Sequence, residues 1–283
     1  DFVDIDRDTN NMSLDALEEK LKKAKKDDQL PSVVIPVHMG GLSCDMQSIH
    51  KLSIEYGFKI IEDASHAIGG CYRDEKVGSC EFSDITVFSF HPVKIITTAE
   101  GGAALTNNRL LAEKLTLFRT HGVTRDPSQM THESAGGWYY QQVVLGFNYR
   151  MTDLQAALGS SQIARLESFI QKRNELAKRY HSAFVELPLE IPLDYPTVKS
   201  SYHLYIVKVS DKATVDRYHL YNYLRDNDIG VNVHYIPVHL HPYYKSLGFS
   251  VGDFPEAERY YEKAISLPLF PQLSHTDQDY IIK

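Results

Sequence analysis

The sequence predicts an α/β fold in which a mostly parallel sheet flanked by helices is followed by a smaller α+β domain. The first half alternates short, continuously apolar runs with amphipathic helical patterns, and such runs are typical of parallel strands buried on both faces. The second half combines a long helical pattern with separate strand and helix patterns, which favours a compact α+β unit. A chain of 283 residues, 43% of them hydrophobic, is long enough for one large and one smaller domain.

The elements of the first half follow from turn residues and apolar patterning. Asp45 is a typical residue to begin a helix, and Gly57 is typical of the position that ends one. Strand, helix and strand units of this length favour parallel pairing through right-handed crossovers. The predicted strands are an edge strand at residues 2–6, buried strands at 33–37, 58–61 and 85–90, and a further strand at 103–105.

A capping pattern marks the second half. Thr152, with Gln155 at the third helical position, begins a helical pattern that reaches about residue 185. We expect the domain boundary within this stretch, with a large domain at residues 1–165 and a small C-terminal domain at 166–283. The remaining predicted elements are a helix at 108–119, a polar loop at 120–148, a strand at 202–209, a helix at 215–227 and a strand at 230–234.

Composition and charge exclude several classes of function. The formal net charge is -7 and the basic residues are scattered, so the chain has no basic stripe that would track nucleic acid. No apolar run approaches the roughly 20 residues that a membrane span needs, and we expect a cytoplasmic protein. The three cysteines, Cys44, Cys71 and Cys80, form no Cys-x-x-Cys pair and are predicted to be reduced thiols.

Two polar residues follow strands that should be neighbours in the sheet. Asp63 comes after the strand at 58–61, and Lys94 follows the strand at 85–90 in a loop closed by Gly101 and Gly102. Ligands of open parallel sheets bind beyond the carboxyl ends of the strands, so we expect both side chains in one pocket. A lysine there is suited to form a Schiff base with a pyridoxal cofactor, and an aspartate to keep the ring nitrogen protonated. Taken alone, an aspartate at this position is more often a helix cap or a solvated loop carboxylate.

Ser89 and His66 are weaker candidates for the same pocket. Ser89, which precedes Lys94 in the chain, has a short hydroxyl that suits a phosphate, although serine is common in strands. His66 closely follows Asp63 and either contacts the cofactor or is a core histidine with satisfied hydrogen bonds.

A group of histidines near residue 240 suggests an alternative chemistry. His234, His239 and His241 are close in sequence, and imidazole is the commonest metal ligand. Pro237 and Pro242 interrupt the segment, and no carboxylate cluster lies nearby in sequence. The histidines are therefore predicted to contact substrate or to pack, and a metallohydrolase remains the alternative.

Four motifs stand out along the chain: EDASHAIGG at 62–70, FSFHPVK at 88–94 with AEGG at 99–102, FRTHG at 118–122 and GFNYRMTD at 146–153. In this order they resemble the pyridoxal-phosphate sugar aminotransferases of the DegT/DnrJ/EryC1/StrS group. The resemblance covers essentially the whole chain and implies the type I fold of PLP-dependent aminotransferases.

The resemblance implies a role for each matching residue. Lys94 matches the lysine that binds pyridoxal 5'-phosphate, Asp63 the partner of the ring nitrogen, and Ser89 a phosphate ligand. His66 matches a position, often Gln in the family, that approaches the phenolic O3′ of the cofactor. Asn148 matches an asparagine that reaches the phosphate of the neighbouring subunit, which implies a homodimer with shared active sites.

Two further segments indicate the substrate class. The GWYY run at 137–140 and the VNVHYIPVH run at 231–239 are similar to a branch that acts in pseudaminic acid biosynthesis. The implied reaction moves an amino group, from glutamate by analogy, to C4 of a UDP-linked 4-keto-6-deoxy-N-acetyl-hexosamine, with His234, Tyr235 and His239 as substrate contacts. The alternatives are another nucleotide-linked keto sugar or a non-catalytic sugar-nucleotide-binding homologue.

The resemblance also implies that this sequence matches only part of a family member. Family members begin with a further segment that cradles the phosphate and stacks on the cofactor ring, and nothing in this sequence matches it. We therefore expect that the N-terminal part of the fold lies outside this sequence and that the 283-residue chain alone is inactive.

Overall fold

The computed structural model describes residues 1–283. The helices, in chain order, are α1 (Leu14–Lys26), α2 (Met46–Tyr56), α3 (Arg109–Arg119), α4 (Asp153–Ile163), α5 (Leu166–Phe184), α6 (Arg217–Asp226), α7 (Pro242–Lys245), α8 (Pro255–Lys263) and α9 (His275–Ile282). The strands are β1 (Val33–Val34), β2 (Lys59–Asp63), β3 (Cys71–Tyr72), β4 (Glu75–Lys76), β5 (Ile85–Ser89), β6 (Gly102–Leu105), β7 (Val123–Thr124), β8 (Gln141–Gln142), β9 (Leu189–Glu190), β10 (Val198–Lys199), β11 (Tyr205–Val209) and β12 (Ala264–Leu267).

The main sheet has four strands in the order β1, β2, β5, β6. β1, β2 and β5 are parallel, as crossover connections require. β6 is antiparallel to β5, because a loop rather than a helix joins these two strands. On one face, Leu17 and Leu21 of α1 and Ile49 of α2 pack in the same core as Ile60 of β2. The predicted α/β class with a mostly parallel sheet is confirmed.

The capping prediction for α2 is confirmed. The Asp45 carboxylate accepts a hydrogen bond from the Ser48 N–H at 3.3 Å, and Gly57 ends the helix with a φ of 82°. This positive φ suits glycine because it has no Cβ.

The predicted edge strand at residues 2–6 is wrong. Ile5 forms only an isolated bridge with Met12, because the aspartates of this segment bond locally. The Asp6 carboxylate closes a turn by accepting from the Thr9 N–H at 2.7 Å, and the Asp4 carboxylate accepts from the first backbone N–H groups of α8.

The strand predicted at 33–37 is shorter than expected. Only Val33–Val34 forms a regular strand, because Pro36 has no N–H to donate to a ladder. The chain nevertheless stays beside β2, since the Asp63 N–H donates to the Pro36 carbonyl at 2.9 Å and the His38 N–H donates to the Asp63 carbonyl at 3.0 Å.

The long helical pattern after Thr152 forms two helices rather than one. The Thr152 capping box is present, with Gln155 completing it. The helix breaks at Ala164 and Arg165, between α4 and α5. α4 is largely exposed, with Leu154 85% exposed, whereas α5 buries one face, including Ile170 and Tyr180.

The C-terminal part of the chain is built on a second sheet, with the antiparallel order β12, β11, β9. Its core contains Tyr180 of α5, Tyr205 and Val207 of β11 and Ile265 of β12. The strand predicted at 230–234 is wrong, because only Asn232 pairs, as a single bridge to Ser266. None of the helices combines the length and apolar character needed to cross a bilayer.

Candidate active site

The carboxyl ends of β2 and β5 bring the Asp63 and Lys94 segments to one edge of the main sheet. Asp63 is in register with Val87 of the neighbouring parallel strand, and the Ala64 N–H donates to the Val87 carbonyl at 2.9 Å. After β5 ends at Ser89, a turn leads to Lys94, whose N–H donates to the His91 carbonyl at 2.9 Å.

Phe90 anchors the loop that carries Lys94. Its N–H donates to the Gly101 carbonyl at 2.8 Å, and its own carbonyl accepts from the Thr98 N–H at 3.0 Å and from the Thr97 hydroxyl at 3.0 Å. A Cβ on Gly102 would lie 2.7 Å from the Phe88 carbonyl oxygen, so close pairing of β6 with β5 requires glycine there. The loop is therefore fixed at both ends.

The environment of Lys94 differs from that of a surface lysine. The residue is half-buried, and burial lowers the pKa of its amine, while the negative charge of Asp63 opposes this shift. With a lowered pKa, a larger fraction of the amine is in the neutral, nucleophilic form at a given pH.

His66 presents a neutral ring with its hydrogen in a defined position. The Gly40 N–H donates to Nδ1 of His66 at 3.3 Å, so Nδ1 carries a lone pair and Nε2 carries the hydrogen. Burial, with the nearby positive charge of Lys94, lowers the pKa of His66 to about 4. His66 is therefore an N–H donor at neutral pH.

Tyr235 and His234 come to the same place from the C-terminal part of the chain. The Tyr235 hydroxyl lies 3.5 Å from Nε2 of His66, and burial, together with the charge of Asp63, raises the pKa of that hydroxyl. Nδ1 of His234 is hydrogen-bonded to the Ser266 hydroxyl at 2.7 Å. Burial and the charge of Lys94 lower the pKa of His234.

The side chain of His239 is hydrogen-bonded to Glu258 of α8. Its ring is 3% exposed, and Nε2 bonds the Glu258 carboxylate at 2.8 Å. The ring also packs edge-on against Phe254, with centroids 4.8 Å apart. With these contacts His239 packs against Glu258 and Phe254, and we do not include it among the proposed substrate contacts.

The structure contains no group of three or more His, Cys, Asp or Glu side chains arranged to hold a metal ion. The metallohydrolase alternative therefore has no ligand cluster in this fold, either around His239 or elsewhere. The three cysteines are free thiols.

Asn148 makes no side-chain hydrogen bond to the residues described above. It is exposed and pairs with Thr120 through an isolated antiparallel bridge. Its neighbours Phe147 and Tyr149 are also exposed, and their rings stack with centroids 4.9 Å apart. The structure thus does not join Asn148 to the Lys94 group through any side-chain hydrogen bond within one chain.

Sequence reasoning missed His203, which contacts the site directly. Its ring lies against that of His66, with centroids 4.4 Å apart and planes tilted by 43°. His203 falls in a segment predicted only as a strand, and no motif distinguishes it. The one sequence signal that could have identified it as a site residue is a histidine within a largely apolar strand pattern.

The side chains at this edge fit pyridoxal phosphate. Lys94 supplies a half-buried amine, Asp63 a carboxylate at the end of β2 and His66 an imidazole N–H donor. Ser89 ends β5, and its hydroxyl accepts from the His91 N–H at 3.4 Å. These groups match, in turn, an aldehyde, a pyridine nitrogen, a phenolic oxygen and a phosphate. The fold and this set of donors define a PLP-dependent aminotransferase.

Comparison with known proteins agrees. Residues 1–283 match the DegT/DnrJ/EryC1/StrS aminotransferase family. The chain is 39% identical over 286 residues to the spore coat polysaccharide biosynthesis protein SpsC of Bacillus subtilis, covering 100% of this chain and 71% of SpsC. The fold matches Helicobacter pylori PseC, an aminotransferase of pseudoaminic acid biosynthesis, with a TM-score of 0.87 and 32% identity over 100% of this chain and 71% of PseC.

A second similar structure contains a form of the cofactor. Spr1654 of Streptococcus pneumoniae, in its PMP form, matches with a TM-score of 0.86 and 32% identity, over 99% of this chain and 73% of Spr1654. The chain belongs to the DegT/DnrJ/EryC1/StrS aminotransferase family. It is a sugar aminotransferase, and pyridoxal phosphate is its cofactor.

Proposed function

We propose that this enzyme moves an amino group from an amino-acid donor, glutamate by family analogy, to C4 of a UDP-linked 4-keto-6-deoxy-N-acetyl-hexosamine. The product would enter pseudaminic acid or a related glycan. The observation that carries the chemistry is the convergence of Lys94, Asp63 and His66 at the ends of β2 and β5. The sugar class rests on the similarity to PseC and SpsC.

Lys94 has two tasks in this proposal. Its Nζ would hold the aldehyde carbon of the cofactor when the cofactor is bound. Once the amino donor takes that place, the free Nζ would accept the proton from Cα of the donor and, in the second half of the reaction, deliver a proton to C4 of the sugar. Burial suits both tasks, because it lowers the pKa of the amine and so favours the form that accepts a proton.

The other residues orient and tune the cofactor. When bound, pyridoxal phosphate supplies an electron sink for the charge that develops at Cα. The Asp63 carboxylate would accept a hydrogen bond from the ring N–H and keep that nitrogen protonated. Nε2–H of His66 would donate to the phenolic oxygen, and the Ser89 hydroxyl would donate to the phosphate. His234 and Tyr235 face the same edge and are the proposed contacts for the sugar nucleotide.

We also propose that the active enzyme is a homodimer with shared sites. Asn148 would reach the phosphate bound by the partner. Exposed large apolar residues close to Asn148 in sequence support a second copy as their cover: Trp138, Leu145, Phe147, Tyr149 and Leu154 are 74%, 84%, 56%, 73% and 85% exposed. Exposed apolar residues in such numbers are typical of protein interfaces.

The division into domains at residues 165 and 166 remains part of the proposal. Two features support it: the helix break at Ala164 and Arg165, and a separate hydrophobic core around Tyr205 in the second part.

The experiment that tests the substrate is an assay of the intact protein with glutamate and a panel of UDP- and dTDP-linked 4-keto sugars. The proposal expects amination at C4 of the UDP-linked N-acetylated sugar, detected as 2-oxoglutarate formation and product mass. Amination of dTDP sugars alone would support the second candidate, another nucleotide-linked keto sugar. Absence of turnover with every sugar would contradict both.

A further inference from the structure

His203 is a buried histidine whose role the proposed chemistry does not use. It is 7% exposed, and its Nδ1 has no hydrogen-bond partner. A phenylalanine would fill the same space without burying an unpaired polar atom. Its main contact with the site is the face of its ring, which lies 4.4 Å from the ring of His66, centroid to centroid.

The backbone around His203 is joined to His66 and to the Gly40 turn by several hydrogen bonds. The Ser201 hydroxyl donates to the His66 carbonyl at 2.8 Å, and the Leu204 N–H donates to the Gly40 carbonyl at 3.1 Å. Gly40 in turn donates its N–H to Nδ1 of His66. The segment therefore contacts the His66 main chain through the Ser201 hydroxyl and the His66 ring through His203. It also holds Gly40, whose N–H fixes the tautomer of His66.

Arg173 of α5 holds the same segment from the other side. Its guanidinium donates to the carbonyls of Tyr202, His203 and Leu269 at 3.0, 3.2 and 2.8 Å. The Arg173 side chain is buried, and burial lowers its pKa to about 10. A buried guanidinium that donates to three carbonyls restricts the movement of the chain that carries His203.

We propose that His203 is a positioning residue for His66. Its ring face keeps the His66 ring turned so that Nδ1 meets the Gly40 N–H and Nε2–H points to the Asp63 and Lys94 edge. The inference rests on the proposed function, because it assumes that Nε2–H of His66 donates to the cofactor.

Two substitutions test whether His66 needs a flat ring beside it or only a side chain that fills the same volume. His203→Phe keeps a flat ring and removes the unpaired nitrogen, whereas His203→Leu fills the volume without a ring face. Should H203L fail to fold, His203→Gln takes its place. The matched control is His181→Phe, since His181 also contacts Tyr202 and Tyr205 edge-on but lies on α5, away from His66.

The first measurement follows the tautomer of His66 by NMR of the intact protein with 15N-labelled histidine, before PLP is added. The His66 signals are assigned by their loss in His66→Gln. We expect one Nε2–H tautomer in the wild type, in H203F and in H181F, and a mixture of tautomers in H203L.

The second measurement is the affinity for PLP, followed by the visible band of the lysine-bound cofactor. We expect H203L to bind about tenfold more weakly, the size typical of losing one aromatic pair, and H203F to bind within about twofold of the wild type. H181F should lose stability without a change in either readout.

The outcomes distinguish this inference from the proposed function. If H203L keeps the single tautomer and the wild-type affinity, or if H203F loses both as H203L does, the inference is wrong. If the wild type itself forms no band with PLP, the proposed function fails first. A normal wild-type band with an unaffected H203L overturns only the role of His203.

Discussion

Nε2 of His38 donates a buried hydrogen bond of 2.8 Å to the carboxylate of Glu62, the residue that precedes Asp63 on β2. The Cys44 N–H donates to Nδ1 of His38 at 3.1 Å, so the hydrogen of the ring lies on Nε2. The hydroxyls of Ser83 and Thr86 also donate to Glu62. Burial raises the pKa of Glu62, but these three hydrogen bonds hold it below its ordinary value. The pair therefore anchors the strand that presents Asp63.

Replacing His38 should destabilise the fold strongly. In His38→Leu, the buried Glu62 carboxylate keeps only two hydroxyl donors, and breaking a buried charged contact typically costs about 3–5 kcal/mol. The free energy of unfolding in urea measures this. Lys22→Ala, which removes an exposed pair with Glu18, is the control and should leave the unfolding midpoint unchanged; an equal midpoint for H38L would contradict the role of His38.

The low pKa of His66 predicts how its stability contribution depends on pH. The pKa falls from 6.5 to about 4 in the folded protein, so between these values the unfolded chain binds a proton that the folded chain does not. Unfolding free energy should therefore decrease as pH falls from 6.5 to 4, by at most about 3 kcal/mol from this group. His66→Gln should show a shallower decrease in urea unfolding over this range. Parallel curves for the two proteins would show that His66 is not buried in its neutral form.

The elements on which the site depends were predicted correctly from the sequence, because each is determined by residues close together in the chain. The buried strands before Asp63 and Lys94 and the caps at Asp45, Gly57 and Thr152 each needed only neighbouring residues. The errors lie where distant contacts decide. The Asp4 carboxylate bonds the start of α8, about 250 residues later in the chain, and the 230–234 segment forms only one bridge, from Asn232 to Ser266. The choice between substrate contact and packing for His239 likewise depends on a residue outside its own segment, Glu258.

Gly41 is predicted to be intolerant of a side chain because it packs against the segment that carries His203. Its φ is 105°, and a Cβ would lie 2.9 Å from the Tyr202 nitrogen and 3.0 Å from the His203 nitrogen. Gly41→Ala should cost about 2–4 kcal/mol, from overpacking added to backbone strain. Gly57→Ala is the matched control, because Gly57 has a φ of 82° and open space around it, and it should cost only about 1 kcal/mol. Thermal or urea unfolding compares the two; equal losses would mean that the close packing at Gly41 is unimportant.

Mixing two defective variants tests the shared dimer site. Lys94→Ala lacks the amine and Asn148→Ala lacks the proposed phosphate contact, so each homodimer has two defective sites. After subunit exchange, half of the dimers are mixed and each mixed dimer has one intact site, which should restore about a quarter of wild-type activity. Activity that stays at the level of the separate variants would contradict sites shared between subunits.

The central claim is that Lys94 binds the cofactor, and the most direct measurement is the visible absorption of PLP bound to the intact protein, read beside turnover. Lys94→Ala should lose both the lysine-dependent band and turnover. Asp63→Asn is the matched variant: it should keep the band but lose turnover by about 10²- to 10³-fold, as expected when one electrostatic contact in a reaction site is removed. A Lys94→Ala protein that keeps the wild-type band or transfers amino groups at the wild-type rate would contradict the account.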